Sequence, residues 1–250
     1  MFKPQKLIEK NSVVYPGKIE FITAVKVTYT DYGFLSADDI SMCFNFAYDM
    51  TFGGNGEHRN HRSGGQHNRR NGEIFANTML GKMCEFALYN ELKNSHKINE
   101  PDLKTAPLGV WDTFDFKVDE KIVSVKSTKS YGQLLLLEKK DWNSNGVYLP
   151  NNERYDYTFV IRIKNDPESI MKKHKKFYID SIDRNELWSF FASEKIGYDV
   201  PRYILNNELC HLIRNNFSIK QGELLNGSTT MDADNYYCHL ANMHEIKKGV

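Results

Sequence analysis

Cysteine is scarce in this chain and falls into no metal-finger pattern. Four occur in 250 residues, Cys43, Cys84, Cys210 and Cys238, and no two form a CxxC pair. Those spacings exclude the common finger and ribbon zinc sites. Cys84 lies in an apolar helical run and reads as a small core residue. Cys210-His211 and Cys238-His239 repeat as a pair and keep a zinc site open as an alternative. Long apolar runs are missing too. None approaches the roughly 18 residues of a membrane span, and no signal peptide leads the chain. The expected setting is therefore a reducing cytoplasm, with no membrane partner. An excess of one charge is also absent. Lys and Arg number 33 against 32 Asp and Glu, for a net +1, so the protein is no polycation and any nucleic-acid surface must be local. No internal repeat or low-complexity linker appears, which favours one domain over residues 1–250.

What is present argues for a globular fold. Hydrophobic residues make up 40% and aromatics 13%, too much for a disordered chain. Residues 19–30 are β-branched and aromatic and read as a strand. Ser36 reads as an N-cap with Asp38 and Asp39 in the first turn, and Ile40, Cys43, Phe44, Ala47 and Met50 follow at helical spacing, predicting a helix over 37–51. Residues 73–92 carry a broad apolar stripe and form the clearest helix, in which Gly81 allows another element close and Glu85 stands among apolar residues. Its carboxylate either pairs with Lys82 at i,i+3 or projects toward a site elsewhere. Tyr157 to Ile163 is β-prone enough for a central strand. Residues 167–176 predict a short basic helix. Asp183 with Glu186 predicts a capped helix, and residues 204–214 another. Tyr236-Tyr237 predicts a late strand within an appended C-terminal part, 200–250.

Residues 111–142 organise the rest. They read as three strands, 113–118, 122–127 and 133–138, the first two joined by a tight turn at Asp119-Glu120. Strand alternation puts Phe114, Phe116 and Val118 on one face and Thr113, Asp115 and Lys117 on the other. The second strand puts Val123 and Val125 on one face and Ser124 and Lys126 on the other. A two-residue turn sets Asp115 opposite Ser124 and diagonal to Lys126. One face then packs on a core while the other gathers a carboxylate, hydroxyls and an ammonium. Such a group can hold a divalent cation by oxygen ligands and orient a water beside a phosphate. An exposed hairpin with an ordinary cross-strand ion pair shows the same alternation.

Residues 53–72 contain six glycines, four arginines, three histidines and one acid, and no apolar side chain. A stretch with nothing to bury is suited to following phosphates, and arginine can also read guanine edges. Arg59, Arg62, Arg69 and Arg70, with His61 and His67, are the candidate DNA contacts. A His58/His61/His67 metal cluster and a loop without a binding role remain alternatives.

The order of elements now resembles the core of the PD-(D/E)xK nuclease superfamily, in particular type II restriction endonucleases. It runs from a helix with Glu85 to strands with Asp115 and with Ser124-Val125-Lys126, a strand ending in Glu138, and the strand 157–163. The resemblance covers residues 73–165. It implies an α+β fold, a mixed β-sheet flanked by helices. It implies a Mg²⁺-dependent double-stranded DNA endonuclease, with Mn²⁺ able to substitute, acting as a homodimer. Asp115 matches the motif aspartate, a metal ligand. Lys126 matches the lysine that acts on the water, and Glu85 matches the helix carboxylate of many members. Asp102 is the only literal Pro-Asp of the region but lies 24 residues before Lys126 with no strand signal around it, and so ranks behind Asp115. The departure is Ser124, where the motif expects Asp or Glu. Some members carry serine there and bring an acid from another element. Glu138 is the candidate, provided that the third strand pairs with the second so that Lys126 meets Leu134 and Glu138 meets Ile122. Asp115, Glu138 and Glu85 would then hold the metal. The alternatives are a nucleic-acid-binding module with a decayed nuclease site and a nuclease on RNA or branched DNA.

Overall fold

The computed structural model describes residues 2–53, 69–104 and 115–247. Helix α1 (Ala37–Thr51) starts at a reciprocal cap. Ser36 Oγ accepts from the Asp39 amide and the Asp39 carboxylate accepts from the Ser36 amide, both at 3.0 Å. The predicted bounds of this helix match. Helix α2 (Asn71–Leu92) is buried well beyond one stripe, because α1, α3 (Pro167–Lys173) and the sheet pack around it. Gly81 is a correction: a methyl group there would meet nothing within 4 Å, so it admits no close neighbour. Helices α4 (Arg184–Ser189), capped by Asp183, and α5 (Asn206–Arg214) complete the helices among the described residues.

In chain order the strands are β1 (Ile8–Asn11), β2 (Ile19–Ile22), β3 (Gly33–Phe34), β4 (Phe116–Val118), β5 (Lys121–Lys129), β6 (Leu134–Glu138), β7 (Tyr157–Lys164), β8 (Gly197–Tyr198), β9 (Arg202–Leu205), β10 (Ser218–Ile219), β11 (Leu224–Leu225), β12 (Thr229–Thr230), β13 (Asn235–His239) and β14 (His244–Glu245). The fold is α+β. Its central sheet runs β14-β9-β7-β5-β4, with β8 and then β3 added beside the end of β7. β5 and β7 are parallel, Val123 beside Tyr157 through Lys129 beside Ile163, and the other pairings are antiparallel. β4 and β5 form the predicted tight hairpin. Asp119 and Glu120 both have positive φ, 46° and 68°, the twist that a two-residue hairpin turn requires.

Two cores lie on the two faces of this sheet. Phe116, Val123, Phe159 and Ile161 pack on α1 and α2. Val160 and Ile204 face the other way, onto β6, β13 and α5. Here the sequence expectation fails. β6 does not pair with β5. It leaves the central sheet and pairs antiparallel with β13, Glu138 beside Asn235 and Leu134 beside His239, in a second sheet β10-β13-β6. β6 is the edge strand of that sheet; Leu134, Leu135 and Leu137 are buried in the core between it and the central sheet, while Leu136 is exposed. The C-terminal part is not appended either. β9 and β14 belong to the central sheet and β13 to the second, while β11 and β12 join β1 and β2 in a third.

Candidate functional site around Lys126

On β5 the side chains alternate, Val123 toward α2 and Ser124 and Lys126 toward the second sheet. Phe116 pairs with Val123, so the same register places Asp115 across from Ser124. Asp115 Oδ2 accepts from the Val125 amide at 2.6 Å, which fixes the carboxylate beside the strand that carries Lys126. Ser124 is 1% exposed, and its hydroxyl has no hydrogen-bond partner among the described residues.

Lys126 opens into a cleft of about 360 Å³ that β5, β6, β7 and the chain before β13 enclose. Thr128, Val160, Glu138, Asp232 and Asn235 line it with Lys126. Glu138 therefore shares the cleft with Lys126 through sheet-on-sheet packing and not by the strand register expected for it. Its Oε2 lies 3.5 Å from Lys140 Nζ. The short 3-10 turn Lys139–Asp141 follows and brings a further carboxylate back.

Tyr148 ties these groups together. Lys126 Nζ lies 5.7 Å from the centre of its ring. Burial raises the pKa of its hydroxyl well above the ordinary tyrosine value, and the charges of Asp141, Glu138 and Asp115 add to the effect. Tyr155 packs against Tyr148 at 5.9 Å, and burial, with the Asp115 charge assisting, pushes it up to about 12. Both phenols thus stay protonated beside the carboxylates, and the Tyr155 hydroxyl accepts from Asn151 Nδ2 at 2.9 Å. Sequence reasoning missed Tyr148, Asp141 and Asp232. Asp141 stands a single helical turn after Glu138, which is the one signal that could have drawn attention to it.

Glu85 lies elsewhere. Its Oε2 accepts from Lys82 Nζ at 2.8 Å, and its charge falls on Cys43 of α1. α2 covers the Val123 face of the sheet, opposite Lys126, so Glu85 is not one of the carboxylates near the lysine. Asp102 turns on itself, accepting from the Lys104 amide at 2.8 Å. Of the candidate DNA contacts, Arg70 precedes α2 and its guanidinium pairs with Asp180. Arg69 is half-buried beside it. Arg59, Arg62, His61 and His67, with His58, lie outside the described residues, as do Asp112, Thr113 and Phe114. All four cysteines are buried thiols. Among the described residues no three His, Cys, Asp or Glu side chains are grouped to hold a metal ion, so the Cys210-His211 and Cys238-His239 pairs do not meet in such a site.

No helix among the described residues is long and apolar enough to cross a membrane. In comparison with known proteins, the chain matches no family model, no curated protein and no solved structure.

Proposed function

We propose that this chain is a Mg²⁺-dependent endonuclease acting on double-stranded DNA, of the restriction type, with Lys126 at the centre of its site. One observation carries the reading. Lys126 and Glu138 line one cleft, and Asp115, bonded to the backbone beside Lys126, acts with Glu138 on the same tyrosine. The donor set fits the cation that such chemistry uses. Mg²⁺ prefers carboxylate oxygens and takes only one or two from protein, leaving other positions to water and phosphate. Among the described residues the cleft is lined by carboxylates and by neither cysteine nor histidine, which suits Mg²⁺ better than zinc.

Each residue then has a defined task. Asp115 and Glu138 hold the cation, with Asp141 and Asp232 adding negative potential. When bound, Mg²⁺ stabilises charge developing on the phosphate and makes a bound water more acidic. The Lys126 ammonium orients the attacking water in line with the leaving oxygen and offsets the phosphorane charge. Tyr148 keeps a neutral phenol beside the carboxylates and sets its ring 5.7 Å from the Lys126 ammonium. Arg59, Arg62, Arg69 and Arg70 follow the phosphates outside the cleft. A homodimer would present two such sites to the two strands.

A second reading rests on Ser124. A buried serine where the motif calls for an acid leaves two carboxylates close to the lysine, which suits a DNA-binding module whose nuclease site has decayed. Incubation of plasmid and phage DNA with Mg²⁺ or with EDTA separates the two. Discrete fragments with Mg²⁺ and intact DNA with EDTA support the enzyme. Binding without cleavage in Mg²⁺ or Mn²⁺ supports the module.

A further inference from the structure

A second cavity, of about 950 Å³, opens on the α2 side of the central sheet. Its size is at the upper end of the roughly 300–1,000 Å³ typical of small-molecule sites. Tyr157 and Phe159 of β7 and Tyr203 of β9 form its floor, and Tyr32 stands at one side. The floor rings are close-packed, Tyr157 meeting Tyr203 edge-on at 5.5 Å and Phe159 meeting Tyr203 at 5.1 Å. These aromatics stay in the cavity because α2 ends at Leu92, so the sheet beyond it has no helical cover.

The surroundings are negative where the floor is aromatic. The C-terminal end of α2, which has no basic residue in its last turn, lies on the rim and presents the negative pole of a long helix. Glu91, in that turn, accepts from the neutral phenol of Tyr198 at 2.6 Å and has no Lys or Arg partner among the described residues. Glu245 lies across the cavity, held by Arg202 at 2.6 Å. Tyr32 senses both carboxylates: burial raises its pKa and the Glu91 and Glu245 charges raise it further. Of the cations on the rim, Lys121 pairs with Asp156 at 3.5 Å and Lys247 is exposed at the edge. Aromatic faces beside an uncompensated carboxylate attract a weakly hydrated cation.

We propose that this cavity is a binding site for a small organic cation carrying an alkylated ammonium, seated between the Tyr157, Phe159 and Tyr203 rings and the Glu91 carboxylate. It is separate from the Lys126 cleft and does not depend on the nuclease reading. Calorimetric titration of the full chain with choline and with its neutral carbon isostere, 3,3-dimethylbutan-1-ol, tests it. Choline binds at one site per chain, and the isostere binds roughly tenfold more weakly or worse. Glu91→Gln keeps the acceptor for Tyr198 and removes the charge, and it narrows that preference to about twofold. Tyr203→Leu weakens choline binding, and thermal melts of both variants beside wild type show that each is folded. Equal affinity for choline and the isostere, no heat from either, or an unchanged preference in Glu91→Gln overturns the proposal.

Discussion

Removing the carboxylate of Asp199 should destabilise the fold more than any surface change. Arg162 is 1% exposed and Asp199 2%. Arg162 Nε donates to Asp199 Oδ2 at 2.7 Å, and its other nitrogens reach the Val27 carbonyl at 2.8 Å, Thr28 at 3.0 Å and Ser130 at 3.3 Å. Arg202 Nη1 donates to the same Asp199 oxygen at 2.9 Å. Asp199→Ala therefore leaves two arginines facing a buried void, with only Glu245 to answer one of them. Breaking a buried pair from one side costs about 3–5 kcal/mol. A chain of this size loses roughly 2–4 °C per kcal/mol, so the melting temperature should fall by about 6–20 °C. Urea denaturation with a thermal melt measures it. Arg162→Met in the Asp199→Ala background should recover part of the stability, because the orphaned charge is gone. The clasp also fixes the turn at Ser130 from which β6 departs with Glu138. A loss under about 1 kcal/mol, the range of exposed pairs, refutes the reasoning.

Burial lowers the pKa of His239 below the ordinary histidine value. The unfolded chain then binds a proton that the folded chain resists, so stability should fall as pH drops through the unfolded value of roughly 6.5 toward the lower folded one; His239→Gln should flatten that slope, measured by urea melts between pH 7 and pH 5. Gly81→Ala should raise stability by about 0.5–1 kcal/mol, since a methyl group there meets nothing and alanine costs a helix less than glycine; a lower melting temperature would show a clash. Arg69→Ala with Arg70→Ala should weaken DNA binding and lower the salt slope by about one unit for each phosphate left without its arginine. Their effect on stability should stay within about 1 kcal/mol, because the Arg70–Asp180 pair is exposed; binding curves unchanged across salt concentrations would remove both from the interface.

Local signals carried most of what could be read from the chain. Ser36 with Asp39 announced α1, the apolar run 73–92 announced α2, and the β-branched run after Tyr157 announced the strand that lies at the centre of the sheet. A two-residue turn fixes register, so Asp115 could be placed against Ser124 from sequence. Pairing between distant segments could not be read. The leucines of β6 are apolar on successive positions and give no face, so nothing pointed to β13 as their partner. Asp232 reaches the cleft by that pairing and was invisible for the same reason. Glu85 misled because α2 is buried nearly all round, which leaves its stripe without a direction.

Single-turnover cleavage of a defined duplex in Mg²⁺, run beside a binding assay, tests the site most directly. Lys126→Ala, Asp115→Ala and Glu138→Ala should each abolish cleavage while binding and the melting temperature stay near wild type. Ser124→Ala should be milder, and Glu85→Ala should keep cutting after any loss of stability is allowed for, since Glu85 is held by Lys82 away from the cleft. Cleavage at the wild-type rate by Lys126→Ala or Glu138→Ala would contradict the assignment of this cleft as the catalytic site.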